Sequence, residues 1–421
     1  MSEGPDEPSS SGNSRSSDRV DPPTPATPIV KLADRLIESG SHYRASDIHI
    51  EPFAESLRVR FRIDGSLVDA DNLPLSYHGP LVSRLKIMGG MNIVERRRPQ
   101  DGQFSTTCNG RSLDVRLATL STIHGEKIVL RLLDQRRTTR GLGELGMTPS
   151  AVDIWRGLIR SPFGLVLCCG PTGSGKTTTL YASLTDMEIG DRNVTTIEDP
   201  VEYVIAGINQ VRTNDQAGLT FASGLRALLR QDPDVILIGE LRDQETARLG
   251  VQAALTGHFV LSSIHANDAA GALQRLIDMG VEPFLVSSSL IGVIGQRLVR
   301  RVCTACSHSY SPNPDELELF HRYRPDATTD FRRGTGCSAC SHTGYLDRVG
   351  VYEILRVTPE IRRHLLHRAD AQTIRATALD EGMTSLRTAA IHLVERGVTT
   401  IDEVVRSLGA QSTPTQRVTM A

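Results

Sequence analysis

Gly170-Pro171-Thr172-Gly173-Ser174-Gly175-Lys176-Thr177 is the stretch on which the fold turns. It fits G-x-x-x-x-G-K-[ST]. Glycines let successive backbone N–H groups point at a phosphate without a Cβ in the way. Lys176 is placed for the β- and γ-phosphate oxygens, and the Thr177 hydroxyl for Mg²⁺. The helix that starts there, with Thr178 in its first turn, presents its positive end to the anion. The flanks agree: the apolar run Leu165–Cys169 reads as a buried strand, and Lys176–Met187 as a helix. Working outward, Val194–Ile197, Val235–Ile238 and Phe259–Ile264 are further buried strands, the last followed by a helix over Ala269–Met279. Strands alternating with helices predict a parallel sheet covered on both faces, and so an α/β core. Its expected ligands are ATP and Mg²⁺.

Three later segments place chemistry at strand ends, where open α/β sheets bind ligands. Thr196-Ile197-Glu198-Asp199-Pro200-Val201-Glu202-Tyr203 brings three carboxylates beside a triphosphate, which implies a cation or a water-orienting role. Val235-Ile236-Leu237-Ile238-Gly239-Glu240-Leu241-Arg242-Asp243 delivers Glu240 after a buried strand, to polarise the attacking water or hold the metal. Gly239 stands where an Asp usually follows the apolar run. His258 and His265 flank Phe259–Ile264. A His there is placed to sense the γ-phosphate or orient Glu240.

Cys303-Thr304-Ala305-Cys306 and Cys337-Ser338-Ala339-Cys340 are two CxxC pairs. Tetrahedral Zn²⁺ takes four thiolates, two from each tight turn, so these cysteines predict a structural zinc site. The long separation adds little closure entropy. Neither pair lies in the strand–helix setting of a redox dithiol. Cys108, Cys168 and Cys169 read as ordinary, partly buried residues.

Upstream, Leu57, Val59, Phe61 and Ile63 alternate with Arg58, Arg60 and Arg62. Asp64-Gly65 turns the chain, and Leu67-Val68 starts the return strand. Leu113, Val115 and Leu117 alternate again. Ile128–Leu133 reads as a strand and Leu81–Met91 as a helix. The units expected are a polar tail over 1–27 and an α+β domain over 28–136, opened by a helix from Pro28 to Ser39. A glycine-containing linker over 137–147 leads to the nucleotide core over 148–299. An irregular zinc insert over 300–345, a helical subdomain over 346–410 and a tail over 411–421 follow. Net charge is −2, so any basic patch is local, and 4% aromatics disfavours a single-strand binder that stacks bases. No apolar run approaches the ~18–20 residues of a membrane span, and no secretory leader opens the chain. A cytoplasmic protein with reduced thiols is expected.

Together these motifs resemble the secretion ATPase superfamily. The cysteine insert after Gln296-Arg297-Leu298-Val299-Arg300 narrows the resemblance to the ATPases of type II secretion and type IV pilus assembly, from about Ala45 to Leu408. It implies a RecA-like P-loop core and a homo-hexameric motor on the cytoplasmic face of the inner membrane. That motor would drive pseudopilus assembly, or pilus extension including DNA-uptake pili. The implied partners are an inner-membrane platform protein and a cytoplasmic recruitment partner, with acidic phospholipid at the surface. It also implies Glu240 as the catalytic acid assisted by Glu198, and Arg116 and Arg131 as cations closing on the γ-phosphate. One departure stands out: only a tail and one helix precede Ala45, where most members carry a further recruitment domain. A nucleic-acid translocase is the competing reading, on Arg84-Leu85-Lys86, Arg96-Arg97-Arg98, Arg136-Arg137, Arg300-Arg301 and Arg332-Arg333. Short basic runs are more often solvated faces or subunit contacts, and no nucleic acid is expected.

Overall fold

Period-two alternation organises the first half of the chain into an antiparallel sheet. The computed structural model describes residues 28–108, 110–134, 141–187, 190–327 and 329–409. The expected tails and the first residues of the expected linker lie outside these. The strands are β1 (Asp47–Pro52), β2 (Ser56–Ile63), β3 (Ser66–Pro74), β4 (Gln100–Cys108), β5 (Arg111–Thr122) and β6 (Gly125–Asp134), in the order β3-β2-β1-β6-β5-β4. Helices Pro28–His42 and His78–Met88 cover its apolar face, where Leu32, Leu36, Leu81 and Leu85 pack on Ile48, Ile50, Val59 and Leu117. Charged side chains alternate onto the other face. There Glu51 pairs with Arg60 and Lys127, and Asp47 with Arg131. β1 and β4 escaped the sequence reading. β1 alternates, with Ile48 and Ile50 between Asp47, His49 and Glu51, but over too short a run to stand out, and the edge strand β4 carries polar residues on most positions.

The second sheet has seven strands. β7 (Gly164–Cys169), β8 (Val194–Glu198), β9 (Asn209–Arg212), β10 (Val235–Ile238), β11 (Phe259–Ile264) and β12 (Leu290–Val302) run parallel. The short ribbon β13 (Ser307–Ser309) and β14 (Arg332–Gly334) then intervenes, before β15 (Tyr345–Arg356) returns antiparallel to β12. The order is β15-β12-β7-β11-β10-β8-β9. Residues 346–356, expected to open a helical subdomain, are therefore a sheet strand. Its run Gly350–Leu355 is buried throughout, so it shows no period to read. Helices from Pro359–Leu366 to Ile401–Leu408 follow it.

Two further expectations change. The region between the cysteine pairs contains helix Pro314–Tyr323, capped by Asn313 and anchored by the fully buried Phe320. In the expected linker, Leu142, Leu145 and Met147 are buried in the second sheet's core, beside helix Pro149–Ile159. That helix braces the far end of helix Lys176–Asp186, which follows the phosphate loop: Trp155 Nε1 donates to Ser183 Oγ at 2.8 Å, and Arg156 pairs with Asp186 at 2.7 Å.

Candidate nucleotide site and four-cysteine centre

The ends of β7, β10 and β11 bring together the phosphate loop, Glu240 and His265. Gly173 (φ 76°) and Gly175 (φ 88°) hold left-handed conformations that a Cβ would penalise. A Cβ on Gly170 would lie 2.6 Å from the Gln296 carbonyl oxygen, so glycine there lets β12 approach the loop. Gln296 Nε2 donates to the Ser174 carbonyl at 2.7 Å and clamps the loop from beneath.

Lys176 Nζ donates to the carbonyls of Gly170 at 2.9 Å and Pro171 at 3.3 Å. Burial pulls its pKa down, against an upward push from the nearby Glu240 carboxylate. The Thr177 and Thr178 hydroxyls have no partner among the described residues, and the buried Ser174 Oγ is also without one. Unspent donors at a helix N-terminus, with a lysine resting on its own loop, fit a triphosphate and its metal.

Glu240 is fixed from both sides. Gly239 N donates to Ile197 O at 2.8 Å, Ser263 Oγ donates to Gly239 O at 2.7 Å, and Leu241 N donates to Ser263 O at 2.9 Å. A Cβ on Gly239 would lie 3.3 Å from Glu198 Cα, so the glycine that departs from the usual Asp lets β10 and β8 draw close. The Glu240 carboxylate pairs with His265 Nε2 at 2.8 Å and Arg242 Nε at 2.9 Å. Arg242 also reaches Asp199 at 2.9 Å. Asp243 then caps helix Gln244–Leu255, which ends the turn.

The remaining expected site residues fall elsewhere. Glu198 is buried, and its carboxylate accepts from Thr196 Oγ1 at 2.6 Å, Gln210 Nε2 at 3.2 Å and Tyr181 O–H. Burial and this carboxylate push the Tyr181 pKa up. Glu198 thus faces inward and fastens the end of β8, rather than standing open to ligand. His258 is not brought to the site. It precedes β11, about 23 Å along the strand from His265 at ~3.3 Å per residue, with Nδ1 on Ala253 O at 3.0 Å. Two histidines around one strand suggest a pair, but a six-residue strand puts them on opposite sheet edges. Arg116 and Arg131 are register partners on β5 and β6. Arg116 donates to Val201 O at 2.9 Å, touching the segment after β8, while Arg131 stays with Asp47 at 3.0 Å.

Sequence reading missed Tyr181, Gln210, Ser262, Ser263 and Gln296. Ser262 Oγ also holds β10, donating to Ile238 O at 2.7 Å. The available signal was a lone polar residue inside a buried run, as in Leu290–Gln296. Tyr181 sits on an apolar helix stripe and gave none.

The Sγ atoms of Cys303, Cys306, Cys337 and Cys340 all lie within 4.8 Å of one another, with separations of 3.9, 3.9 and 3.8 Å for 303–337, 306–340 and 337–340. A tetrahedron with Zn–S of ~2.3 Å has S···S edges of ~3.8 Å, so the cage fits zinc. Backbone N–H groups of Gly336 on Cys306 (3.3 Å), and of Cys337 (3.2 Å) and Gly344 (3.3 Å) on Cys340, favour thiolates. Cys108, Cys168 and Cys169 are fully buried and lie apart from this cage.

A parallel sheet with a phosphate loop, an anchored glutamate beside it and a four-cysteine cage define a P-loop nucleotide-binding protein with a cluster shaped for a metal ion. Residues 24–406 match the family described as type II/IV secretion system protein. Type II secretion system ATPase E of Vibrio cholerae is 45% identical over 383 residues, covering 90% of this chain and 75% of that one. Type II secretion system protein HxcR of Pseudomonas aeruginosa is 46% identical over 380 residues, covering 90% and 77%. Two solved structures share the fold. The Legionella pneumophila ATPase DotB has a TM-score of 0.65 at 21% identity, covering 91% of this chain and 96% of that one. The pilus retraction motor PilT with bound ADP has 0.59 at 24%, covering 90% and 97%. The chain belongs to the type II/IV secretion system protein family of secretion ATPases.

Proposed function

We propose that this chain hydrolyses ATP to ADP and phosphate as the motor of a type II protein secretion system, powering pseudopilus assembly at the inner membrane. The observation that carries the reading is Glu240, tethered at the end of β10 by Ser263 and aimed by His265 beside the phosphate loop. Lys176 exchanges its two loop carbonyls for β- and γ-phosphate oxygens. Glu240 orients the attacking water and accepts its proton, and His265 and Arg242 hold the carboxylate in place. Thr177 would hold Mg²⁺ beside the phosphates, and the ion would supply charge neutralisation there. Glu198 supports the site through Tyr181 and β8. Arg116 and Arg131 close on the γ-phosphate when the N-terminal sheet moves. The four cysteines would hold Zn²⁺ as a structural ion.

In this reading the chain works as a homo-hexamer on the cytoplasmic face of the inner membrane, with a platform protein and a recruitment partner. No helix among the described residues is long and apolar enough to cross a membrane. The internal ion pairs of the basic clusters weigh against a translocase. Lys86 is buried on Glu126, Arg300 is bound to Glu403, and Arg333 is bound to Asp402. The test is phosphate release by the purified chain, alone, with acidic-phospholipid vesicles and with DNA. Turnover that acidic lipid raises and Lys176→Ala abolishes is expected. Stimulation by DNA alone overturns the motor reading.

A further inference from the structure

His265 aims Glu240, and the stretch that carries it is short: residues 265–268 join β11 to helix Ala269–Asp278. His265 and Asn267 are exposed, so packing alone does not fix this stretch. Three consecutive residues at its end are instead each held by a charged side chain from a different later element. Arg297, on β12, donates from Nη2 to the Asn267 carbonyl at 2.7 Å. Arg375, on helix Ala371–Asp380, pairs through Nη1 with Asp268 Oδ2 at 2.8 Å. Glu353, on β15, accepts from Ala269 N at 2.8 Å through Oε1.

Asp268 divides its two oxygens. Oδ1 accepts from Gly271 N at 2.7 Å and caps the helix, while Oδ2 goes to Arg375. A cap needs one oxygen, and asparagine supplies it as well as aspartate does. The charge of Asp268 therefore serves Arg375. Glu353 divides its oxygens in the same way. Its Oε2 accepts from Leu386 N at 3.2 Å, at the start of helix Leu386–Glu395. Glu353 is 1% exposed. A carboxylate so deeply buried is a poor source of net stability, yet this one ties the end of the His265 stretch to a C-terminal helix. Neither Arg375 nor Glu353 bonds the phosphate loop or Glu240 among the described residues.

We propose that Arg375, paired with Asp268 and supported by Glu353, is a positioning residue for the hydrolysis step. Through this stretch the C-terminal helices hold His265, and His265 holds Glu240 on the attacking water. The inference rests on Glu240 as the base. With its end loose, the stretch lets the imidazole and the carboxylate drift, and a misplacement of about 1 Å caused far from the chemistry costs up to ~10²-fold in rate. Nucleotide binding is spared, because Lys176, Thr177 and the loop N–H groups are unaltered.

The test is steady-state phosphate release by the full chain across a range of ATP concentrations, with Glu240→Gln in the same series. Arg375→Gln and Asp268→Asn each lower kcat by roughly threefold to thirtyfold, the span of coupling carried through a side-chain network. KM for ATP stays within about twofold of wild type, the mark of an interaction felt in the transition state and not in binding. The melting temperature stays near wild type, because the side chains of Arg375 and Asp268 are 35% and 30% exposed. The double variant is no slower than the slower single one, since the pair acts as a unit, and Arg375→Lys recovers most of the rate. Glu353→Gln offers one acceptor oxygen to two N–H groups and endangers the fold itself, so the half-exposed pair carries the test. Single variants at the wild-type kcat, losses that multiply in the double variant, or a raised KM at unchanged kcat overturn the proposal, while a slow Glu240→Gln leaves the catalytic reading standing. Glu240→Gln at the wild-type rate overturns both.

Discussion

Replacing Glu240 by Gln removes one charge from the nucleotide site and almost nothing from the fold. The carboxylate's side-chain partners, Arg242 and His265, are half-exposed at 51% and 49%. Such pairs contribute ~0–1 kcal/mol each to stability, and the amide keeps one acceptor oxygen. The backbone ties that position residue 240 run through Gly239, Leu241 and Ser263, which the substitution leaves intact. The melting temperature should therefore move little. Catalysis should not escape so lightly. A group that takes a proton from the attacking water is worth ~10²–10⁴-fold, or about 3–5 kcal/mol of barrier. Nucleotide affinity should hold, because Lys176, Thr177 and the loop N–H groups are untouched. The assay pairs steady-state phosphate release with titration of a fluorescent ATP analogue. Turnover within a few-fold of wild type refutes the assignment. Turnover and nucleotide affinity lost together would make Glu240 a metal-holding group, not the base.

Lys176→Ala should abolish nucleotide binding in the same titration, because no other ammonium group is hydrogen-bonded to the loop among the described residues. Cys303→Ser with Cys337→Ser should lose bound metal and lower the melting temperature, read by elemental analysis and thermal unfolding; full zinc content would count against the cage. Glu403, fully buried, is pushed up by burial but held below the ordinary carboxylate range overall by Arg406 and Arg300. A depressed carboxylate stabilises the fold above its unfolded value, ~4.3, and loses that contribution as pH falls through its folded value. Acidification below about pH 4 should therefore loosen the C-terminal helices. Glu403→Gln should destabilise at neutral pH, chiefly by leaving the mostly buried Arg300 without its carboxylate while half-exposed Arg406 turns to water, and flatten the acid limb of a melting-temperature profile. An unchanged acid limb would remove Glu403 from that role.

The parallel core was legible because its strands are buried on both faces, and buried runs such as Leu165–Cys169 and Val235–Ile238 stand out against polar loops. The phosphate loop was legible because few other backbones need three glycines and a lysine at that spacing. β15 was not, because Gly350 and the buried Glu353 interrupt its apolar run and it follows a long insertion that breaks the strand–helix rhythm. The pairing of His265 with Glu240 was within reach, since both lie at strand ends. The seat of His258 was not: spacing along a chain says that two residues flank a strand, but not that one strand separates them by its whole length. Glu198 shows a different limit. Sequence puts a carboxylate at the strand end, but only the positions of Tyr181, Thr196 and Gln210 reveal that it turns inward.

The thiolate cage sits between β12 and β15, directly after Val302 and a few residues before Tyr345. These strands form one hairpin, and everything from 303 to 344 is its loop. A metal bound there short-circuits that loop. The roughly 40 residues to be closed become about 6, which eases hairpin closure by ~1.5–2 kcal/mol. The segment between Cys306 and Cys337 then acts on the sheet through its own packing, Phe320 and Phe331 against Val299 and Val351, and no longer through its length. During synthesis the sheet's last strand also emerges after both knuckles. Chains with an empty cage would therefore have their nucleotide loop formed but be slow to gain the sheet's seventh strand.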